Sequence, residues 1–307
     1  VPIELIIKDD QYTADLTKAN VDELVFDDQV TMLEGIIGSP NNLAIQADMN
    51  AQCIPQLWAS TGAPDWGNVD EYPWTTGLLV PYAIESRLWA DYMVNEIGPG
   101  STAGLFYVNN EFGQAYVTAF TELAAEKGIE IVAQESIDAA DSGAPSGQMT
   151  NLVQANPDAI LAIPLGAQCI GFMTELGNAK AANPDFDPAV YQTATCANPL
   201  FFGSTSNGGA DGVYTSSNAK IVTSEEYADD PAVQTFLEAM ATYQPDGTVD
   251  QTALAGWLAM DLAVYVAQQA FESGDYSRAG IINAARNINY TPALIVDGLV
   301  SQMNAED

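Results

Sequence analysis

The chain has 307 residues, 48 % of them apolar, and sets 41 acidic side chains against 8 basic ones for a net charge of −33. That balance excludes nucleic-acid binding, which needs clustered Lys and Arg, and docking on an anionic membrane surface. Histidine is absent, which removes Ser-His-Asp and Cys-His catalysis and nearly every catalytic zinc site.

The length suggests two lobes at about 150 residues per domain. Strands and helices then alternate almost throughout. Val1–Leu5, continuing to Ile7, reads as a strand and not as a leader peptide, so any export signal is expected to have been removed or left out. A helical pattern runs from Ala14 to Phe26, and Val30–Leu33 reads as a short strand. Ser39-Pro40 starts a helix, because Ser caps well and Pro suits the first helical position. Ile54–Trp58 is the next strand, followed by a helix over Tyr82–Glu96, a strand at Ala103–Val108 and a helix at Gly113–Lys127. Ile129–Ala133, Ala159–Ile163 and Val190–Ala194 read as strands, with helices at Gln148–Gln154 and Ala167–Ala181. After Gly212-Val213-Tyr214 the pattern turns helical, over Pro231–Tyr243, Thr252–Glu272 and Ser277–Ala285. Such alternation specifies an α/β fold with parallel sheets covered by helices on both faces.

Mean hydropathy is +0.01, and no apolar run approaches the roughly 18 residues of a membrane span. The acids are scattered, which marks a solvated surface whose self-repulsion salt relieves. The composition therefore points to a saline habitat, with an acidic extracellular protein from an ordinary habitat as the alternative. Pairs such as Asp9-Asp10 and Asp229-Asp230 arise by chance among so many acids, so no metal site is expected.

In open parallel sheets, ligands bind at the carboxyl ends of strands. Five loops fall there. Gly35–Asn42 leads into a helix N-terminus, whose free N–H groups and dipole attract an anion or carbonyl. Ser39 adds a hydroxyl there, followed by Pro40 and Asn41; the plain alternative is that Ser39 only caps its helix. Ser60, Thr61, Gly62 and Ala63 form a small-residue loop that lets a ligand approach the backbone, or an ordinary turn. Phe112, in Asn109–Gln114, is an apolar wall or a core residue. Leu165–Cys169, containing Gln168, and Thr195–Asn198 each place a Cys at a strand-to-helix turn. If those strands are neighbours, Cys169 and Cys196 form a disulfide, which requires an oxidising compartment; two buried thiols are the alternative. Cys53 is left free and expected to be buried.

The segments Ile3–Tyr12, Gly35–Pro64, Tyr72–Gly77 and Gly104–Gly113, in that order, resemble the type I periplasmic binding proteins of the branched-chain amino acid (Leu/Ile/Val) class. The resemblance implies two Rossmann-like lobes with parallel central sheets, a ligand cleft between them and no enzymatic activity. Lobe 1 would be residues 1–77 plus 216–307, and lobe 2 residues 78–215. It implies an extracellular or periplasmic solute receptor of an ABC importer, one form being lipid-anchored. Such a receptor is monomeric, lacks a cofactor and docks on a membrane permease. A ligand-sensing domain of a signalling receptor is the alternative. By this resemblance Ser39 and the Ser60–Ala63 loop hold a ligand carboxylate, and an aromatic at Phe112 lines the other lobe. Thr195 stands where relatives often carry an acid for an ammonium group, which turns the expectation toward other small carboxylates and amides beside amino acids. Tyr82 and Trp257 are further candidate apolar walls, with core packing as the alternative for each. Members of this class begin one strand and helix earlier and continue further, so the chain reads as trimmed at both ends.

Overall fold

Alternating runs of strand and helix sort themselves into two compact units. The computed structural model describes residues 3–303. One unit holds the chain up to Pro81 and again from Asn218 on; the other is Tyr82–Ser217.

The first unit opens with α1 (Ala14–Asp22), β1 (Leu33–Glu34), α2 (Ser39–Ala51), β2 (Gln56–Ala59) and β3 (Thr75–Gly77). The three strands form one parallel sheet in the order β1-β2-β3. Trp58 takes φ +53° where the register of β2 on β3 shifts, between Gln56 and Ala59.

The second unit follows with α3 (Tyr82–Tyr92), β4 (Thr102–Val108), α4 (Glu111–Lys127), β5 (Glu130–Ile137), α5 (Ser146–Ala155), β6 (Ala159–Ile163), α6 (Ala167–Ala182), β7 (Ala189–Gln192), α7 (Pro199–Gly203) and β8 (Val213–Tyr214). Its sheet is wholly parallel, ordered β5-β4-β6-β7-β8. Strand β6 reads Ala-Ile-Leu-Ala-Ile with every residue buried, as a central parallel strand covered on both faces requires. Phe106, Phe120, Phe172 and Leu176 are fully buried in the same unit, with Phe106 stacked on Phe172. Gly113 lets α4 approach β4: a Cβ there would lie 1.9 Å from the Val108 carbonyl oxygen.

The chain then returns to the first unit as α8 (Pro231–Tyr243), α9 (Gln251–Ser273) and α10 (Arg278–Arg286). Asp230 and Asp250 cap α8 and α9, each accepting two backbone N–H groups. The apolar face of α9, through Leu262, Ala263 and Val266, packs on Leu57 and Trp58 of β2. Arg286 donates to the carbonyls of Tyr72, Pro73 and Thr75, tying α10 to the segment that leads into and begins β3.

Several expectations are corrected. Ile3–Ile7 joins no ladder, and Ile7 is 80 % exposed; Val1 and Pro2 lie outside the described residues. An apolar extended run favours a strand but cannot supply its hydrogen-bonding partner, and β1 is bonded to β2 instead. The strand expected at Val30–Leu33 shrinks to Leu33–Glu34, because only there does β2 run alongside. Strand β7 ends at Gln192, after which Ala194–Cys196 tightens into a 3₁₀ turn. Cys53 is exposed with φ +56°, in a turn after α2 and not in the core.

Candidate functional site

In the first unit, the carboxyl end of the sheet is built around Gly38. Its φ of +100° opens α2, and a Cβ there would meet the Tyr12 ring at 2.4 Å, so only glycine fits. Ser39 and Pro40 are thus the first two helical residues. Ser39 does not cap the helix, contrary to one sequence expectation; its fully buried hydroxyl meets that of Thr61 at 2.7 Å. Thr61 Oγ1 also accepts the Ala63 amide. A backbone bridge joins Ile37 to Ser60, with Ser60 N donating to Ile36 O at 2.8 Å and Gly38 N to Ser60 O at 3.3 Å. Asn42 braces the same turn by donating to the Ile36 and Gly38 carbonyls. The structure therefore brings Ser39, Ser60, Thr61, Gly62 and Ala63 together. Asn41 turns its amide toward Asp10 and Thr17, at 2.9 and 2.8 Å, and its buried Oδ1 has no partner.

In the second unit, the loops after β4, β6 and β7 lie at one end of the sheet. Phe112 is 2 % exposed and packs edge-on against Tyr82 and Tyr116, while Tyr82 stacks on Tyr116 at 4.0 Å. Gln168 is committed to structure: its Oε1 accepts the Leu165 amide, and its Nε2 donates to the carbonyls of Asp138 and Asp141. Thr195 shares a 2.6 Å hydroxyl contact with Thr193 and donates to Pro164 O. Cys169 and Cys196 are joined by a disulfide, with Cα atoms 5.8 Å apart, since β6 and β7 are neighbours. Trp257 stands on α9 with its ring edge-on to Phe236 of α8.

Sequence reasoning missed Glu85. It is 5 % exposed at the same end of the second unit, and its carboxylate accepts from Tyr116 Oη at 2.6 Å, Ala194 N at 2.8 Å and Ser216 Oγ at 3.0 Å. Burial pushes its carboxyl up, against the three hydrogen bonds that pull it down. Its signal lies in phase: Glu85 and Ser86 share the buried stripe of α3 with Tyr82, Trp89 and Ala90, while Ile84 and Leu88 face solvent.

No Lys or Arg occurs in any of the five loops, so an anionic ligand group there depends on N–H and hydroxyl donors. Among the described residues no cluster of acids and cysteines could hold a metal ion. The first unit also has a groove of about 850 Å³ between residues 3–10 and 28–37, with Ala255, Ala259 and Met260 of α9 along it. Of the ligand residues expected from sequence it touches only Ser60. Glu34 lines it, and burial pushes that carboxyl up to about 7 while its Oε1 lacks a partner.

A family model described as "Periplasmic binding protein" matches residues 1–304. No curated protein matches the chain by sequence. Among solved structures, a branched-chain amino acid ABC transporter protein from Thermus thermophilus with bound valine superposes with a TM-score of 0.83 at 15 % identity, over 98 % of this chain and 78 % of that one. A fatty acid ABC transporter substrate-binding protein from Thermomonospora curvata gives 0.82 at 16 %, over 98 % and 73 %. A solute-binding protein of an ABC transporter from R. palustris in complex with benzoate gives 0.77 at 17 %, over 94 % and 75 %. At these identities the likeness is one of fold.

Proposed function

The chain belongs to the periplasmic binding protein family, and from that premise we propose that it is the solute-binding receptor of an ABC-type importer, taking a small amphipathic molecule with a carboxylate or amide end. The observation that carries this reading is the pairing of Ser39 with Thr61 at the start of α2, beside the Ser60–Ala63 loop. That buried pair fixes the α2 N-terminus against the loop, so that helix N–H groups and the half-buried Ser60 are suited to a carboxylate or carbonyl without an ion pair. In this reading the ligand's apolar body is met at the end of the second unit where the buried Phe112 and Tyr82 pack together. Valine, fatty acids and benzoate, named for the three similar structures, share that chemistry of a carboxylate on an apolar body.

In this reading the protein works outside the cytoplasmic membrane, free or lipid-anchored, and delivers its ligand as a monomer to a membrane permease. Lobe closure by hinge motion is the capture step. The Cys169–Cys196 disulfide suits an oxidising compartment. None of the described helices is long and apolar enough to cross a membrane. Family members are binding proteins, and no chemical step is assigned to any residue.

A thermal-shift screen with valine, leucine, short amides, fatty acids and aromatic carboxylates tests the reading. A compound that binds only the folded state stabilises it by about 2.7 kcal/mol at a hundredfold excess over Kd. A shift from carboxylates or amides with apolar bodies is the expected result. Shifts only from sugars or polyamines, added as controls, would overturn the ligand class.

A further inference from the structure

The dipeptide Asn-Gly occurs once in the sequence, at Asn207-Gly208. It lies in the loop over residues 204–212, between α7 and β8, with both residues exposed. This is the most reactive setting for an asparagine side chain, because glycine has no side chain to shield its amide nitrogen. That nitrogen attacks the asparagine Cγ and expels the side-chain nitrogen as ammonia. A five-membered cyclic imide results, and water opens it at either carbonyl. One opening leaves aspartate. The other leaves an isoaspartyl link, in which the main chain runs through Cβ and Cγ and gains one atom.

The same Asn207 amide latches the loop onto α6. Its Nδ2 donates to Thr174 O at 2.8 Å and to Asn178 Oδ1 at 3.1 Å, and its Oδ1 accepts from Gly209 N at 3.2 Å. Both bonds to the helix therefore come from one NH₂ group. Loop and helix fit closely around it. A Cβ on Gly177 of α6 would lie 2.5 Å from Asn207 Oδ1, and a Cβ on Gly209 would lie 1.8 Å from the Met173 carbonyl oxygen.

We propose that Asn207-Gly208 is a site of spontaneous covalent modification in this chain, slowed by the latch on α6 and destroying that latch once it has reacted. Attack makes the planar amide carbon tetrahedral and draws Nδ2 away from Thr174 O and Asn178 Oδ1, so the folded chain opposes the step. The products cannot rebuild the contact. Aspartate has acceptor oxygens and no N–H, so it cannot donate to either group. The isoaspartyl link puts its extra atom just ahead of Gly208-Gly209, where the backbone has no spare room against Met173. The inference does not rest on the receptor reading.

Peptide mapping by mass spectrometry, on the full chain held in mildly alkaline buffer, tests the site. In guanidinium chloride Asn207 should be the first asparagine converted, giving both aspartyl and isoaspartyl peptides. In the native protein the same conversion should run about tenfold slower or more. Asn178→Ala removes one latch partner at an exposed position. It should speed the native conversion about twofold or more and leave the unfolded rate unchanged. Asn207→Asp, which carries one of the products, should melt below wild type at about 1 M salt, where its added charge is screened. Earlier conversion of another asparagine in the unfolded chain, equal native and unfolded rates, an unchanged native rate in Asn178→Ala, or an unchanged melting temperature in Asn207→Asp would each overturn the proposal.

Discussion

The Ser39 and Thr61 hydroxyls, 22 residues apart in sequence, meet at 2.7 Å with both residues at zero exposure. The contact joins the first turn of α2 to the loop after β2, so two carboxyl-end loops of the sheet are held together from beneath. A buried hydroxyl pair contributes about 1 kcal/mol net, and leaving one member unsatisfied costs about 1–3 kcal/mol. Thr61→Val keeps the shape and removes the hydroxyl. It should lower stability by about 1–3 kcal/mol in urea melts; a variant as stable as wild type would show that the pair contributes nothing.

Gly38 carries a second constraint at the same turn. Gly38→Ala places a methyl into the Tyr12 ring and into a backbone region that costs about 1 kcal/mol or more for an L residue. A loss of about 2–4 kcal/mol is expected from strain plus overpacking. Tyr12→Ala in the same chain should restore the part due to the ring and leave the backbone part. Full restoration, or none, in a double-mutant cycle by urea denaturation would contradict this division.

Glu34 makes stability depend on pH in a stated direction. Its folded-state value of about 7 lies above the ordinary 4.5. The folded state therefore keeps a proton that the unfolded chain releases. Its contribution is full below about pH 4.5 and is lost as pH rises through about 7, by up to about 3 kcal/mol before screening in the open groove reduces it. Glu34→Gln should match wild type near pH 4.5 and exceed it in melting temperature near pH 8. Equal melting temperatures at both pH values would contradict the burial of that carboxyl.

The disulfide closes a chain separation of 27 residues. Loop entropy predicts a loss of about 3–4 kcal/mol on its removal. Reduction should lower the melting temperature, and native protein should offer one reactive thiol, the exposed Cys53. Three reactive thiols in unreduced protein would contradict the bond.

Salt should stabilise the protein. Of the 8 basic side chains, four are in ion pairs and two donate to backbone carbonyls. Little positive charge remains to offset the 41 acids. Raising salt from about 0.1 M to about 1 M shortens the screening length from about 10 Å to about 3 Å, so the melting temperature should rise. A flat or falling salt profile would argue against a saline habitat.

The second unit was more legible in sequence than the first, for a physical reason. Strands β4 and β6 are apolar runs buried on both faces, and the helices that follow them, α4 and α6, carry complete apolar stripes. In the first unit the strands are two to four residues long and are fixed by ladder partners rather than by their own pattern. Ile3–Ile7 shows the limit: side-chain preference was readable, pairing was not. The loops at the carboxyl ends of strands were found from position in the pattern. The roles within them were not, because Asn41 and Gln168 spend their amides on local carbonyl, carboxylate and hydroxyl groups that only the folded chain brings near. Glu85 went unread because one acid among 41 carries no mark except its phase with Trp89 on α3.

The most direct test of the receptor reading is calorimetric titration of the strongest thermal-shift compound into wild type and Thr61→Val. The account predicts one site per chain in the wild type and at least a tenfold weaker site in the variant, about 1.4 kcal/mol in binding free energy. Equal affinity in both proteins would remove the turn held by Ser39 and Thr61 from the site, and no titratable binding by any compound of the panel would contradict the receptor reading itself.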